Sequence, residues 1–194
     1  MNELLIIILI LLTGYGYSNF ITSDDAEQNI LQQYAIDPDL FDVLLSDLNH
    51  NSMEMIAKEV FHFKLHSETN ETPTYPIQGI LFGDYSRVIF PIIVQHKKKK
   101  IKTLVLYDSG CPFIYFSQIM YNSLGIDTIL PSSNLYIHSS EKAITSHLSS
   151  KHFTDINVIG QHFLETAGLS VSIHFVAKTV FLSIDTYVEK GDEF

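Results

Sequence analysis

The sequence has one cysteine, no tryptophan and few basic residues among its 194 positions. A single cysteine cannot form an intramolecular disulfide, and the absence of a Cys-x-x-Cys pair argues against a cysteine-based zinc site. There are 12 basic and 22 acidic residues, and this balance argues against a nucleic-acid partner held by phosphate contacts. Hydrophobic residues make up 46% of the chain, which is enough to bury the core of one folded domain.

The N-terminus carries a short hydrophobic run, Leu4–Leu12. It is too short to cross a bilayer core of about 30 Å, which needs roughly 20 residues. Together with the small residues Gly16 and Ser18 it predicts a signal peptide over residues 1–18. If this segment is not cleaved, it predicts a signal anchor instead. The chain is therefore expected in the secretory pathway, secreted or lumenal, or alternatively as a single-pass membrane protein.

Charge divides the rest of the chain into two parts. Residues 19–75 hold eleven acidic side chains and two lysines, whereas residues 76–194 hold ten acidic and ten basic side chains. We therefore predict an acidic, partly helical segment over 19–75, which serves either as a propeptide or accessory region or as a solvated spacer. A balanced domain over 76–188 and an acidic tail over 189–194 follow it.

Local patterns within the acidic segment predict one helix and one strand. Asp37 and Pro38 suit the cap and first turn of a helix whose apolar face runs to Leu48. Phe61, Phe63 and Leu65 alternate with polar residues, which predicts a strand.

Beyond residue 76 the patterns are mostly those of strands. Three pairs of apolar runs predict hairpins: 87–95 with 102–107, 134–138 with 143–148, and 169–175 with 180–182. The lysines at 97–100 are then a solvated turn. Ser117 and Gly125 bound one short helix, and Gly160 and Gly168 bound another. This pattern predicts a small, mostly β domain that is closed or dimeric.

One segment carries chemistry: the apolar strand 104–107 runs directly into Asp108, Ser109 and Gly110. A carboxylate at the end of a buried strand is held in one place, and we expect Gly110 to permit a tight approach there. Ser109 can bond to nearby backbone and hold the loop. By itself the tripeptide also fits an ordinary turn at the end of a strand.

A second motif follows about fifty residues later, where an apolar strand ends in Val158, Ile159 and Gly160 before a helix. In this order of elements the chain resembles the retropepsin-like aspartic proteases, over roughly residues 75–184. Asp108-Ser109-Gly110 matches the family's Asp-(Thr/Ser)-Gly, and Val158-Ile159-Gly160 matches its apolar-apolar-Gly motif. The resemblance implies a small closed acid-protease barrel with one or two short helices, after the partly helical N-terminal segment.

The resemblance also implies an aspartic endopeptidase that works as a homodimer on a polypeptide substrate, with no cofactor and no metal. Asp108 would be the catalytic residue, supported by Ser109 and Gly110. Cys111 would lie near the substrate. The hairpin of residues 134–148 would lie where the family's flap covers it, so that Ile137, His138 and Ser139 would bind substrate.

Other functions remain open from the residues alone. An inactive relative of the same fold could serve as a dimerisation or peptide-binding module, since strand addition needs a groove but no catalytic carboxylate. A cysteine-protease interpretation of Cys111 has little support, because no helix N-terminus follows it directly. The nine scattered histidines lack the spacing of a metal site.

Overall fold

Strands dominate the computed structural model, which describes residues 47–129, 131–138, 142–150 and 154–185. The helices of these residues are α1 (His50–Glu59), α2 (Gln118–Leu124) and α3 (Gln161–Ala167). The strands are β1 (Ser67–Glu68), β2 (Ile77–Phe82), β3 (Arg87–His96), β4 (Lys99–Tyr107), β5 (Ile114–Phe116), β6 (Ser132–Ile137), β7 (Ile144–Leu148), β8 (Val158–Ile159), β9 (Leu169–His174) and β10 (Thr179–Ile184). The predicted mostly β fold is confirmed.

Six of the strands close into a barrel. Their order is β4-β8-β5-β7-β6-β3, and β3 pairs again with β4 to complete the ring. Strand β3 can take part at both ends because it is ten residues long. Its first residues pair with β2, and its last pair with β6. Strands β2, β10 and β9 continue the sheet outward from the barrel.

The local turn and cap chemistry acts as the sequence predicts. The β3–β4 hairpin turns at the lysine stretch, where Lys97 has a φ of 54°. Ser117 caps α2 by accepting a hydrogen bond from the Met120 N–H, and Gly125 ends the helix in the left-handed conformation. All three predicted hairpins and both predicted short helices are confirmed.

The prediction of a strand at residues 61–65 is wrong. His62 and His66 have φ values of 57° and 56°, and the Phe63 N–H donates to the Ala57 carbonyl at the end of α1. The chain is therefore a coil that folds back on the helix. The alternating apolar side chains of this segment reach one cluster from an irregular backbone. The helix predicted from Asp37 lies outside the described residues apart from its last two positions.

Two apolar clusters form the core. One fills the barrel, and its largest fully buried side chains are Phe90, Phe116, Tyr121 and Phe163. The other lies between the α1 region and the outer face of the sheet, and its members include Leu48, Met53, Ile56, Leu65, Leu104, Leu106 and Val158. Residues 47–65 thus share a core with the strands that carry both motifs. No helix in the described ranges is long and apolar enough to cross a membrane.

Candidate active site

Asp108 directly follows β4, beside the end of β8. These strands run parallel, with Leu106 opposite Val158 and Tyr107 opposite Ile159. The Asp108 N–H then donates to the Ile159 carbonyl at 3.0 Å. This bond brings the two sequence motifs together, although fifty residues separate them along the chain.

The loop after Asp108 is a tight turn that orients the carboxylate. The Gly110 N–H donates to Asp108 Oδ1 at 2.9 Å, and the Cys111 N–H donates to the Asp108 carbonyl at 3.0 Å. Asp108 is half-buried, whereas Ser109 and Gly110 are exposed. The Gly110 N–H therefore holds the carboxylate, and the Cys111 N–H closes the turn on the Asp108 backbone.

The tight approach lies at Gly160, not at Gly110 where the sequence predicted it. A Cβ on Gly160 would lie 1.7 Å from the Cys111 carbonyl oxygen and 2.6 Å from its carbon. A Cβ on Gly110 would meet only Asp108 Oδ1, at an ordinary 3.4 Å. The Gln161 N–H also donates to the Cys111 carbonyl at 3.2 Å, so α3 begins against the Asp108 loop.

A buried polar network supports both motif strands from behind. The Asn157 amide donates to Thr103 Oγ1 and to the Leu104 carbonyl, each at 3.0 Å, and its oxygen accepts from the Ser117 N–H at 2.9 Å. Thr103 Oγ1 lies 3.0 Å from His66 Nδ1. The sequence analysis missed Asn157. Its signal was a lone amide within the apolar run of residues 156–159.

Tyr107 and Gln161 form a second link across the motifs. The Tyr107 hydroxyl donates to Gln161 Oε1 at 2.8 Å. Burial, and then the charge of Asp108, raise the pKa of Tyr107. The hydroxyl therefore stays protonated at neutral pH and remains a donor.

The Cys111 thiol is buried beside the site. Its side chain is 1% exposed and belongs to the cluster beneath α1, and Sγ donates to the Phe113 carbonyl at 3.3 Å. Burial raises the pKa of Cys111 to about 12. A thiol in this environment does not ionise at neutral pH and is a poor nucleophile.

The hairpin proposed as a flap is formed by β6 and β7. Ile137 lies in the barrel core, and His138 is 8% exposed with neither ring nitrogen hydrogen-bonded. The His138 ring lies against the edge of Tyr75, with centroids 5.9 Å apart. Ser139 lies outside the described residues. Substrate binding by Cys111, Ile137, His138 and Ser139 stays a prediction.

No group of three or more potential metal ligands occurs within the ranges that the structure describes.

We expect Gly160→Ala to lower the free energy of unfolding by about 3 kcal/mol, because the added methyl group collides with fixed backbone. Urea unfolding followed by circular dichroism measures the loss. Gly110→Ala is the matched control and should cost less than about 1 kcal/mol. Equal losses of unfolding free energy for the two variants would contradict the close contact between Gly160 and the Cys111 carbonyl.

We also expect the fold to lose stability as the pH falls from 6.5 to 4. Burial lowers the pKa of His66 and of His138 from 6.5 to about 4, so the unfolded chain takes up protons in this range that the folded chain does not. The stabilisation by each neutral histidine is complete above pH 6.5 and is lost below it, on the order of 3 kcal/mol per histidine.

Urea unfolding at several pH values between 7.5 and 4.5 tests this. His138→Asn does not titrate and tolerates the φ of 52° at this position. It should make the dependence of stability on pH shallower. A slope equal to that of the wild type would contradict the role of His138.

Comparisons with known proteins found matches among solved structures. No family model matches the chain, and no curated protein matches it. Among solved structures it is similar to the crystal structure of a retropepsin-like aspartic protease from Rickettsia conorii. The identity is 18% and the TM-score 0.39, over 57% of this chain and 95% of that one. This likeness is too distant to assign a family, so the function is inferred from the site.

Proposed function

We propose that the chain is an aspartic endopeptidase that assembles its active site from two copies of Asp108. The observation that carries the proposal is the position of this carboxylate. Asp108 is half-buried at a strand end, and its carboxylate accepts a hydrogen bond from the Gly110 N–H. The backbone N–H of Asp108 donates to the Ile159 carbonyl, just before Gly160. A carboxylate held by backbone in this way keeps its orientation without a flexible partner.

Two such carboxylates in contact perform general acid–base chemistry. Because they are about 3 Å apart they cannot both ionise, so they share one proton. The ionised carboxylate removes a proton from a water molecule, which attacks the peptide carbonyl. The protonated carboxyl donates to the developing oxyanion. The sequence contains one Asp-(Ser/Thr)-Gly triplet, so the second carboxylate must come from a second chain.

We expect Asp108→Asn to lower peptide cleavage at least about 1,000-fold, because the amide cannot act as the base. The measurement is digestion of a peptide library between pH 4 and 7, over a series of protein concentrations. The wild-type rate should rise with the fraction of dimer. Asp84→Asn, on the exposed turn between β2 and β3, is the matched control and should cleave as the wild type does.

Two results would contradict the proposal. Cleavage retained by Asp108→Asn would exclude this carboxylate as the base. Absence of cleavage by a folded wild-type dimer would favour the inactive peptide-binding module instead.

Because the dyad must keep one proton, we expect better cleavage at pH 5 than at pH 8, down to the pH at which the neutral histidines no longer support the fold.

We also propose that the chain enters the secretory pathway, on the basis of its N-terminal run and of an accessible glycosylation sequon. Asn70, Glu71 and Thr72 form the sequon in the coil between β1 and β2, and all three residues are exposed.

When the full chain is expressed in cultured eukaryotic cells, we expect a slower-migrating form that a peptide-N-glycosidase converts to the faster one. Thr72→Ala should abolish this form. Thr74→Ala changes an exposed threonine outside the sequon and should keep it. Migration unaffected by the glycosidase would contradict entry into the pathway.

A further inference from the structure

The turn of the β3–β4 hairpin concentrates positive charge. Five of the 12 basic residues of the chain fall within six positions, at 97–100 and 102, although the net charge is −10. We call these five residues the lysine cluster. At physiological salt, charges farther apart than about 8 Å are largely screened from each other. The acidic residues elsewhere in the chain therefore do not cancel the charge of the cluster.

The hairpin holds the lysine cluster on a rigid backbone. β3 and β4 pair without interruption over nine residue pairs. The Gln95 side-chain amide donates to the Lys97 carbonyl at 2.9 Å, and this bond ties the turn to β3. Lys100 and Lys102 flank the buried Ile101, so both side chains lie on the same face of β4, about 7 Å apart. A site that is already ordered loses little conformational entropy when it binds.

Acidic neighbours compensate only part of this charge. Lys99 Nζ lies 3.4 Å from Glu68 Oε1, and Glu68 is 71% exposed. Lys102 Nζ lies 2.6 Å from Glu71 Oε2, and Glu71 is 59% exposed. Pairs of this kind at the surface contribute little stability, so a stronger anion can displace the glutamates. In the described ranges no ion pair engages the other three lysines of the cluster.

The chemistry of the cluster fits a linear polyanion. Lysine ammonium groups are compact point charges, and here they follow one another from the turn along roughly 10 Å of β4. Short lysine-rich segments of this kind are typical of patches that bind nucleic acids or heparin. Anionic phospholipids are concentrated in the cytoplasmic leaflet of membranes. A chain in the secretory pathway is separated from that leaflet and from nucleic acids, but it meets sulfated polysaccharides.

We propose that the lysine cluster binds a sulfated polysaccharide of the heparin class through ion pairs with its sulfate groups. The choice of a polysaccharide rests on the proposed entry into the secretory pathway. The site is separate from the candidate active site, because Lys100 and Asp108 lie eight positions apart along an extended strand, roughly 26 Å. The bound polymer would therefore hold the chain on a sulfated surface and leave the Asp108 carboxylate uncovered.

Isothermal titration calorimetry of the full chain with a heparin octasaccharide tests the proposal. We expect binding that weakens as the salt concentration rises, because the contacts are ionic. Lys97→Gln should weaken it at least about fivefold. Lys178→Gln is the matched control, since it removes the same charge from the β9–β10 turn at a similar φ, 50° against 54°. It should change the dissociation constant less than about twofold.

A second pair of variants tests the site through a gain of affinity. Glu68→Gln removes the acidic partner of Lys99, so we expect the octasaccharide to bind about threefold more tightly. Glu165→Gln on α3 is the matched control, because Glu165 is 81% exposed and lies on an element that follows the second motif. This control should leave the affinity as it is in the wild type.

Three results would overturn the inference. They are absence of octasaccharide binding, equal effects of Lys97→Gln and Lys178→Gln, and an unchanged affinity in Glu68→Gln. Tighter binding to anionic phospholipid vesicles or to a single-stranded oligonucleotide would reject the polysaccharide as the ligand. Asp108→Asn should bind the octasaccharide as the wild type does, so the outcome is independent of the proposed peptide cleavage.

Discussion

The rest of the site depends on the close crossing of Gly160 over the Cys111 carbonyl. Nothing larger than hydrogen fits there, because a Cβ would lie 1.7 Å from the carbonyl oxygen. This crossing lets the Asp108 N–H reach Ile159 and the Gln161 N–H reach Cys111. The position of the Asp108 loop beside β8 and the start of α3 against that loop both depend on this backbone contact.

Buried polar groups impose a second constraint. Their effect on stability has a pH dependence opposite to the one expected for the proposed aspartate pair. Asn157 satisfies three hydrogen bonds behind the motif strands, and through Thr103 it connects them to His66. Burial, together with the neighbouring His50, lowers the pKa of His66 and favours its neutral form, as burial does for His138. Acidic pH favours the shared proton that the proposed pair of aspartates needs. It disfavours the neutral form of these two histidines. The two demands are compatible in mildly acidic conditions.

The α1 region is packed against the strands that carry the two motifs. Residues 47–65 complete an apolar cluster against β4 and β8, so they support the strands that hold Asp108. At the other end of the strand order, β9 has one neighbouring strand among the described residues, and Ile173 on it is 37% exposed. The proposed function needs a second chain that supplies the second carboxylate.

The sequence by itself determined the features that depend on neighbouring residues. Side-chain period and turn chemistry act within a few positions. They are therefore enough to predict the helix caps at Ser117 and Gly125, the lysine turn, the hairpins and the strand that ends at Asp108. Only the tertiary structure decided which glycine is crowded, that Cys111 is buried, and that Asn157 links two strands. It also showed that Phe61, Phe63 and Leu65 reach a cluster from a coil, not from a strand. The crowding at Gly160 and the bonds of Asn157 depend on segments about fifty residues apart, and no local pattern records what a side chain meets there.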